Sequence, residues 1–367
     1  MGVGSRPAER TRTGVPPIIE PIEGHVRIGV IASIAHRLPP RGYGPWEQIA
    51  STLTEGFVAR GHDVVLFASA DSVTSARLHP TAPTGYEEDP RLDAKVWEGL
   101  HNAAVFERAA EFDVIANHFD FMPLTYSGLV PTPVVTTIHG FSSPQIVDVY
   151  RAYDRLGHYV AISDSDRHPD LHYAATIHHG VDLSRFTYVA APGDYLLFLG
   201  RIHPDKGTHV AVEVARRCGL RLVIAGIIQD EDYYRDAVAP LVDGAAVTYV
   251  GPVGPDDRDA LLGGARALLH LISFPEPFGL SVVEALATGT PVIATRLGSM
   301  PEILRDGVTG WLVDDVDQAV DAVSRIPVVD RQVCRAEAVR RFGSDRMVDD
   351  HLAVFKRVLA GDLGTAT

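Results

Sequence analysis

The chain has 367 residues, 46% of them hydrophobic and 22% charged, a composition typical of a globular protein long enough for two domains. Its formal net charge of −14 argues against binding to nucleic acid, which depends on Lys and Arg side chains that neutralise phosphates. No run of about 18 uncharged apolar residues occurs, so no membrane-spanning helix is expected. Cys218 and Cys334 cannot build a disulfide scaffold, and they favour a reducing, cytoplasmic location.

The first elements of the chain follow a strand–helix–strand pattern. Residues 1–24 mix Arg, Pro and Gly without an apolar segment, which predicts a flexible tail and not a secretory signal. Arg27–Ser33 is an apolar run of strand length, Pro45–His62 has apolar residues at helical spacing, and Asp63–Ser69 is again apolar. Strands that are apolar almost throughout indicate a parallel sheet buried on both faces.

The same alternation continues through both halves of the chain. The further strands are "FDVIANH", "TPVVTTIHG" and "HYVAIS" in the first half, and "YLLFLGRI", "LRLVIAG", "AVTYVG", "ALLHLIS" and "TPVIAT" in the second. The turn-rich Thr187–Asp194 separates the two series, and Ser344–Gly361 has the pattern of a helix. We expect an α/β protein with two doubly wound, Rossmann-like domains facing each other across a cleft. The predicted domains are 25–188 and 189–343, followed by a C-terminal helix in 344–367 that is a candidate to cross back to the first domain.

Two cations follow the first strand of the second series. In "LFLGRIHPDKG" (Leu197–Gly207), Arg201 and Lys206 lie five residues apart on a loop that contains Gly and Pro. Arg offers a planar fork of donors and Lys a point charge, so the two side chains suit one diphosphate. A solvated turn with ordinary basic residues is the alternative interpretation.

The stretch "SFPEPFGLSVVEALATGTPVIAT" (Ser273–Thr295) passes from a strand end through a turn into a helix. The helix begins near Gly279, which allows close approach of a ligand to the backbone, and a helix amino end binds anions. Glu276 suits the electrostatics of that end. Glu284 lies among apolar residues, so an inward-facing carboxylate there needs a partner, for which a ribose diol is a candidate. A surface glutamate on a half-buried helix remains the alternative.

Together these stretches resemble the second domain of glycosyltransferase family 4, the retaining nucleotide-sugar enzymes of the GT-B fold. The matching series is "GRIHPDKG", "VIAG", "VTYVGPV", "FPEPFGLSVVEALATGTPVIAT", "GSMPEIL" and "DGVTGWLV", in the family's order. In the first domain, "PPRGYGPWEQ" is similar to the family's glycine-rich opening, "TTIHG" to its histidine-containing strand end, and "HHGVD" to the segment that enters the linker. The chain departs from the family pattern at Pro45, where many relatives have Gly, and at His179, where Asn is usual.

The resemblance implies transfer of a sugar from a nucleotide diphosphate donor with retention at the anomeric carbon. It assigns catalytic roles to His139, Glu276, Arg201 and Lys206. Its donor-binding set is Gly42, Gly44, Arg201, Lys206, Gly251, Val253, Glu276, Phe278, Gly279, Leu280 and Glu284. The candidate acceptor contacts are Tyr43 and Trp46 in the glycine-rich opening, and His118 and Asp120 in "NHFDF", which ends an apolar run. A histidine that only caps a strand end in the core is the alternative for His139.

The resemblance also implies that neither a bound metal nor another cofactor is obligatory. The acidic chain and the first helix, with Glu47 and Glu55 against Arg60, argue against stable membrane association. We therefore expect a soluble acceptor. The opening "GYG…E", with "GHDVVLFASADSVTSA" after it, resembles bacterial members of the family that glucosylate small heterocycles, which implies a pterin-like acceptor or a secondary metabolite. The family resemblance also implies a hexose donated by a UDP-sugar such as UDP-glucose or UDP-GlcNAc. A homo-oligomer is compatible with the sequence. A nucleotide-sugar hydrolase or epimerase, or an inactive nucleotide-sugar binding protein, remains open.

Overall fold

The computed structural model describes residues 24–362. The predicted flexible tail therefore lies outside the described residues, except for Gly24. None of the helices in the described part of the chain is long and apolar enough to cross a membrane.

The first lobe is built on a parallel sheet of seven strands in the order β3-β2-β1-β4-β5-β6-β7. The strands are β1 (Arg27–Ala32), β2 (Asp63–Ser69), β3 (Arg77–Ala82), β4 (Val114–His118), β5 (Val134–Ile138), β6 (His158–Ala161) and β7 (Tyr173–Thr176). The order reverses between β1 and β4, and open α/β sheets bind ligands outside the carboxyl ends of the strands at such a point.

The second lobe repeats this arrangement with six parallel strands in the order β10-β9-β8-β11-β12-β13. They are β8 (Tyr195–Leu199), β9 (Arg221–Ala225), β10 (Val247–Gly251), β11 (Ala267–His270), β12 (Val292–Thr295) and β13 (Gly310–Val313). Here the reversal lies between β8 and β11. The sequence predicted neither β13 nor the two edge strands of the first sheet, β3 and β7.

Helices cover the faces of both sheets. They are α1 (Pro45–Ala59), α2 (Ala94–Phe106), α3 (Leu124–Ser127), α4 (Val147–Tyr153), α5 (Thr208–Arg217), α6 (Glu231–Tyr233), α7 (Pro255–Gly264), α8 (Leu280–Thr288), α9 (Met300–Ile303), α10 (Val316–Arg325), α11 (Arg331–Phe342) and α12 (Ser344–Leu359). In β1, Ile28 and Val30 pack into the core formed with α1, and Ile31 packs into a separate core on the opposite face. Successive side chains of a strand point to opposite faces, so an apolar strand supplies both cores at once.

The chain passes between the lobes at two adjacent places. The Val181 amide donates to the Phe342 carbonyl (2.8 Å), and the Ser344 amide donates to the Val181 carbonyl (3.0 Å). After Gly343 the chain returns to the first lobe as α12, whose Val348 and Phe355 join the core beneath α1. Helix α12 thus belongs to the hydrophobic core of the first lobe although it is last in the chain.

The contact between α1 and α12 depends on Gly56. A Cβ atom added at Gly56 would lie 2.3 Å from Val348 Cγ2. We expect Gly56→Ala to lower the free energy of unfolding by about 1 kcal/mol, because an overpacking cost of roughly 1–3 kcal/mol exceeds the gain of about 1 kcal/mol in helix propensity. Urea titration followed by circular dichroism measures the change.

Gly99 in α2 provides the matched control, since an added Cβ there meets nothing within 4 Å. Gly99→Ala is expected to stabilise the protein slightly. In the double variant Gly56→Ala, Val348→Ala, the two costs should be less than additive, because the second change removes the clashing methyl groups. Strict additivity would contradict the packing described for these two helices.

Candidate active site

The predicted site residues follow the strands at which each sheet order reverses. In the second lobe, Arg201 and Lys206 follow β8, and Glu276 follows β11. In the first lobe, the "RGYGPW" loop (41–46) follows β1 and Asp120 follows β4. Parallel strands bring their carboxyl ends to one edge of the sheet, so chain segments far apart in sequence meet at each of these edges.

The loop between β11 and α8 is held firmly by the segment that precedes α9. The Ser299 amide donates to the Glu276 carbonyl (3.0 Å), and the Ser299 hydroxyl donates to the Phe278 carbonyl (2.7 Å). Gly298 has a φ of 55°, and a Cβ there would lie 2.4 Å from the Glu276 backbone. The position of the Glu276 side chain is thus fixed by backbone contacts that only glycine allows.

Gly279 begins α8 with a φ of 89°, in the left-handed region. Gly279 is buried, and the half-buried Leu280 packs against the cores of both lobes. The first amides of a helix have no acceptor within it, so the amino end of α8 is polarised positively at the boundary between the lobes.

Lys206 and Glu276 form an ion pair at this boundary. The Lys206 ammonium donates to Glu276 Oε2, and its Nζ also lies 4.8 Å from the centre of the Phe274 ring. His270, the last residue of β11, has its Nε2 3.7 Å from Glu276 Oε2. Burial lowers the pKa of His270 to about 4, so the ring is neutral at pH 7 beside a paired carboxylate. His270 was not among the site residues predicted from the sequence, although it is the polar end of an apolar strand.

Arg201 lies at the same edge and donates a hydrogen bond to Gln229 Oε1. Burial raises the pKa of the Tyr43 phenol in the first lobe, and the charges of Arg201 and Glu276 in the second lobe also act on this pKa. The Tyr43 residue remains 47% exposed. Tyr43 of the first lobe therefore lies near Arg201 and Glu276 of the second. Gln229 is an additional polar group at this edge that was not predicted from the sequence.

Glu284 on α8 has a protein partner that the sequence analysis did not foresee. Arg258 on α7 donates from Nη1 to Glu284 Oε1 at 3.1 Å, and 12% of the Glu284 side chain is exposed. Burial raises the pKa of Glu284, and the charge of Arg258 opposes that rise. An inward-facing glutamate does need a partner, but Arg258 supplies one within the protein, so a ribose contact is not required to explain the burial of Glu284.

The glycines that were predicted to contact the donor differ in their surroundings. An added Cβ at Gly42 would meet nothing within 4 Å, whereas at Gly44, directly before α1, it would lie 2.8 Å from the Pro40 side chain. Gly251 ends the edge strand β10 with a φ of 81°, and Val253 follows it half-buried. Gly251 and Val253 therefore lie at the end of a strand that is two positions away from β8 in the sheet, whereas Arg201 and Lys206 follow β8 itself.

Three histidines form a hydrogen-bonded chain at the strand ends of the first lobe. His139 Nε2 lies 3.1 Å from His118 Nδ1, and His139 Nδ1 lies 3.3 Å from His179 Nε2. Trp46 stacks on the His139 ring with a centroid distance of 5.5 Å. Both ring nitrogens of His139 thus have partners within the protein, and His179, the departure from the family pattern, is one of them.

The histidine chain is buried and neutral. His118 is 1% exposed, which leaves its ring no open face toward an acceptor. Burial holds the pKa values of His118, His139 and His179 well below 6.5. Neutral imidazoles carry one N–H each, so the two hydrogen bonds run in a common direction along the chain.

Asp120, another predicted acceptor contact, is a non-glycine residue with a φ of 87°. Its carboxylate accepts from the Tyr150 hydroxyl (2.9 Å) and from the Ser142 hydroxyl (3.1 Å). Burial raises the pKa of Asp120. A backbone conformation of this kind costs of order 1–3 kcal/mol and persists where surrounding contacts enforce it, often at functional sites.

A cavity of about 220 Å³ lies between the lobes. Its lining residues are Phe141, Ser165, Asp166, Arg167, His168, Pro169, Pro275, Glu276 and Gly298. Glu302 of α9 holds the first-lobe side of this region, because its carboxylate accepts from the amides of Asp164 (2.8 Å) and Ser165 (2.7 Å). Within residues 24–362, no group of three or more His, Cys, Asp or Glu side chains is arranged to hold a metal ion.

Comparison with known families agrees with this architecture. The model for "Glycosyltransferase Family 4" matches residues 47–185, and the model for "Glycosyl transferases group 1" matches residues 186–327. The chain belongs to glycosyltransferase family 4. The match to this family extends over both lobes, which confirms the resemblance drawn from the motifs.

Among curated proteins, the family 4 chain is similar to D-inositol 3-phosphate glycosyltransferase of Mycolicibacterium smegmatis, with 33% identity over 207 residues. The aligned region covers 50% of the chain and 47% of that relative, so the chain spans about half the length of the curated relatives it matches. Among solved structures, AviGT4, a glycosyltransferase involved in avilamycin A biosynthesis, has 26% identity and a TM-score of 0.72, covering 92% of this chain and 98% of its own. HepE of Anabaena, in complex with UDP-glucose, has 18% identity and a TM-score of 0.69, covering 90% and 100%. The two-lobed GT-B fold expected from the sequence is confirmed.

The neutral histidine chain predicts a loss of stability in acid. As the pH falls below about 6.5, histidines of the unfolded chain take up protons while the buried ones do not, so the free energy of unfolding decreases. Replacing His179 by Asn removes one such group, and we expect the decrease between pH 6.5 and 5 to become shallower by at most about 1.4 kcal/mol per pH unit.

Urea unfolding at several pH values measures how the free energy of unfolding changes with pH in the wild type and in His179→Asn. The carboxylates are common to the two proteins, so the difference between the profiles isolates the effect of position 179. Parallel profiles would show that His179 is protonated equally in the folded and unfolded chains.

Proposed function

We propose that this family 4 glycosyltransferase moves a hexose from a UDP-sugar to a hydroxyl of a small-molecule acceptor with retention of the anomeric configuration. The observation that carries the proposal is the ion pair of Lys206 with Glu276 in the loop before α8, at the sheet edge where the strand order reverses and which Arg201 also follows. The fold shared with HepE, which was solved with UDP-glucose, agrees with this choice of donor.

The leaving diphosphate gains negative charge as its bond to the sugar breaks. Fixed positive groups lower the energy of that step because they need no rearrangement when the charge develops. Lys206, Arg201 and the amides around Phe278–Leu280 supply those groups in the proposed site. In many other phosphate sites a divalent cation neutralises the negative charge. Here the positive protein groups do so, and the proposed reaction therefore uses no bound metal.

The two glutamates of the loop and helix contact hydroxyl groups of the donor. Glu284 accepts from the ribose diol and exchanges its contact with Arg258 for it. Glu276 accepts from hydroxyls of the donor sugar once the diphosphate has engaged Lys206. The leaving phosphate oxygen takes the proton of the acceptor hydroxyl on the same face of the sugar, so the step needs no protein nucleophile.

In the proposed site, His139 binds the donor sugar from a position that is fixed by its contacts within the protein. A hydrogen bond from its ring to a sugar hydroxyl would replace one of its bonds with His118 or His179. Trp46 stacks on the same ring, so the glycine-rich opening of the first lobe is in direct contact with His139. Trp46 and Tyr43 then form the acceptor side of the proposed site together with Asp120.

The acceptor belongs to the class of small hydroxyl-bearing molecules. The relative from Mycolicibacterium smegmatis is named for D-inositol 3-phosphate, and AviGT4 is involved in the biosynthesis of a natural product. Both relatives support a small polyhydroxylated acceptor or a secondary metabolite, and a pterin-like heterocycle remains within that class. Incubation with radiolabelled UDP-glucose, with and without an extract of small metabolites, tests the proposal. Labelled product that needs the extract supports transfer; free glucose released equally without it favours a hydrolase.

Replacing Glu284 by Ala should weaken the binding of UDP about 10- to 100-fold, because hydrogen bonds to a buried charged group contribute roughly 1.5–3 kcal/mol. Isothermal titration calorimetry with UDP measures the dissociation constant. Glu213→Ala, on the exposed face of α5, is the matched control and should leave binding unchanged.

Arg258→Ala separates the two roles open to Glu284. This change frees the carboxylate, so UDP binding should be retained if the ribose is the true partner of Glu284. Equal loss of UDP binding in Glu284→Ala and Arg258→Ala would instead assign the glutamate to a structural ion pair with Arg258.

Replacing Lys206 by Ala should lower kcat at least about 100-fold, since removal of one preorganised donor to a developing negative charge costs roughly that factor. The change in the KM of the donor should be smaller. Initial rates with UDP-glucose and the acceptor identified from the extract measure both constants. Lys356→Ala, exposed on α12, is the matched control. An unchanged kcat in Lys206→Ala would remove this lysine from the proposed mechanism.

A further inference from the structure

His270 ends β11 directly beside the carboxylate of Glu276. It is 6% exposed, and β11 lies between β8 and β12 in the sheet, which fixes the course of its backbone. The Nε2 atom of His270 lies 3.7 Å from Glu276 Oε2, just beyond hydrogen-bonding distance. That nitrogen is buried and forms no hydrogen bond with any residue in the described part of the chain. A buried polar atom without a partner lowers stability and calls for an explanation.

The charge of Glu276 determines the tautomer of His270. Burial lowers the pKa of His270 to about 4, so at pH 7 the ring is neutral and carries one N–H group. An ionised carboxylate only accepts hydrogen bonds, and an unprotonated Nε2 would turn its lone pair toward that negative charge. The proton of the ring therefore lies on Nε2, and His270 presents an N–H donor to Glu276 Oε2.

In the free protein, Lys206 already binds the carboxylate oxygen that His270 faces. The Lys206 ammonium donates to Glu276 Oε2, the same atom that lies opposite His270 Nε2. In the proposed reaction the diphosphate engages Lys206, so this oxygen loses its partner. Ordinary N–H···O distances are about 2.7–3.2 Å, so a shift of the carboxylate by roughly 0.5–1 Å would close the gap to His270.

We propose that His270 is a positioning residue for Glu276, and that its Nε2–H group donates to Glu276 Oε2 once the diphosphate has taken Lys206. This bond holds the carboxylate in place while Oε1 accepts from hydroxyls of the donor sugar. His270 supplies a hydrogen bond but no positive charge, so the sugar hydroxyls are still needed to offset the loss of the ammonium. The inference rests on the proposed function, because it is the diphosphate that separates Lys206 from Glu276.

NMR of the histidine rings tests this hydrogen bond in the wild type. In protein with 15N-labelled histidine, the shifts of the two ring nitrogens identify the tautomer, and the signals missing from His270→Gln are those of His270. We expect the Nε2–H tautomer in the free protein and a downfield shift of its Nε2 proton when UDP is added. His158 begins β6, at the amino-end edge of the first sheet, and is the internal control whose signals should not shift.

Calorimetric titration with UDP measures what the bond contributes to binding. His270→Leu removes the donor, so the dissociation constant of UDP should rise at least about tenfold, since a hydrogen bond to a charged acceptor is lost. His270→Gln keeps an N–H donor near the position of Nε2, so its affinity should stay close to that of the wild type. His158→Leu is the matched control and should leave the affinity unchanged.

A double-mutant cycle with Glu276→Gln distinguishes positioning of Glu276 from a general effect on folding. A neutral amide is a weaker acceptor than a carboxylate, so the loss of UDP affinity caused by His270→Leu should be smaller when residue 276 is Gln. If His270 only supports the fold, His270→Leu causes the same loss in both backgrounds.

A UDP-induced downfield shift of the Nε2 proton, together with a loss of affinity in His270→Leu that depends on Glu276, supports the inference. An Nδ1–H tautomer, an unshifted Nε2 proton in the UDP complex, or an equal loss in both backgrounds overturns it while the donor site stands. If His270→Leu does not fold, the spectra of the wild type decide alone. Failure of the wild type to bind UDP overturns the proposed function itself, and the role of His270 with it.

Discussion

The close contact between the segment 298–299 and the loop 276–278 is the constraint on which the site depends. Two hydrogen bonds from Ser299 and the absence of a side chain at Gly298 fix the course of this loop. The loop then determines where α8 begins and where Glu276 points. Because Lys206 and His270 are arranged around that carboxylate, a shift of the loop would separate Glu276 from both side chains.

Polar contacts connect the two lobes at this boundary. Glu302 of the second lobe accepts from the loop that carries Asp166, and His178, next to the crossing segment, lies 3.2 Å from the same carboxylate. The crossing itself is narrow, with Val181 paired to Gly343. Interfaces of this kind resemble transient protein–protein contacts, so they allow one lobe to move against the other. Such a motion would open and close the cavity, and it would change the contacts of Leu280, which packs against the cores of both lobes.

The sequence was informative wherever burial on both faces leaves a clear pattern. All the interior strands were predicted, and so was the placement of Arg201, Lys206 and Glu276 after strand ends. The strands that were missed, β3, β7 and β13, all lie at sheet edges, where one side has no neighbouring strand. In β3, Pro80 and exposed residues also interrupt the apolar run. The partners Arg258 and Gln229 could not be predicted, because contacts between side chains of different helices and strands depend on tertiary packing. Local sequence patterns do not encode that packing.

Both glutamates to which we assign donor contacts are paired with a cation in the protein. Lys206 is paired with Glu276, and Arg258 is paired with Glu284, with each carboxylate 15% exposed or less. Separating a partly buried pair is costly if either charge is left alone. In the proposed complex, the diphosphate takes Lys206 while sugar hydroxyls take Glu276, so both members of that pair gain a new partner. A ligand with only the diphosphate would leave Glu276 unpaired, and one with only the sugar would leave Lys206 unpaired. The proposed site would therefore select a molecule that carries both groups at the right separation.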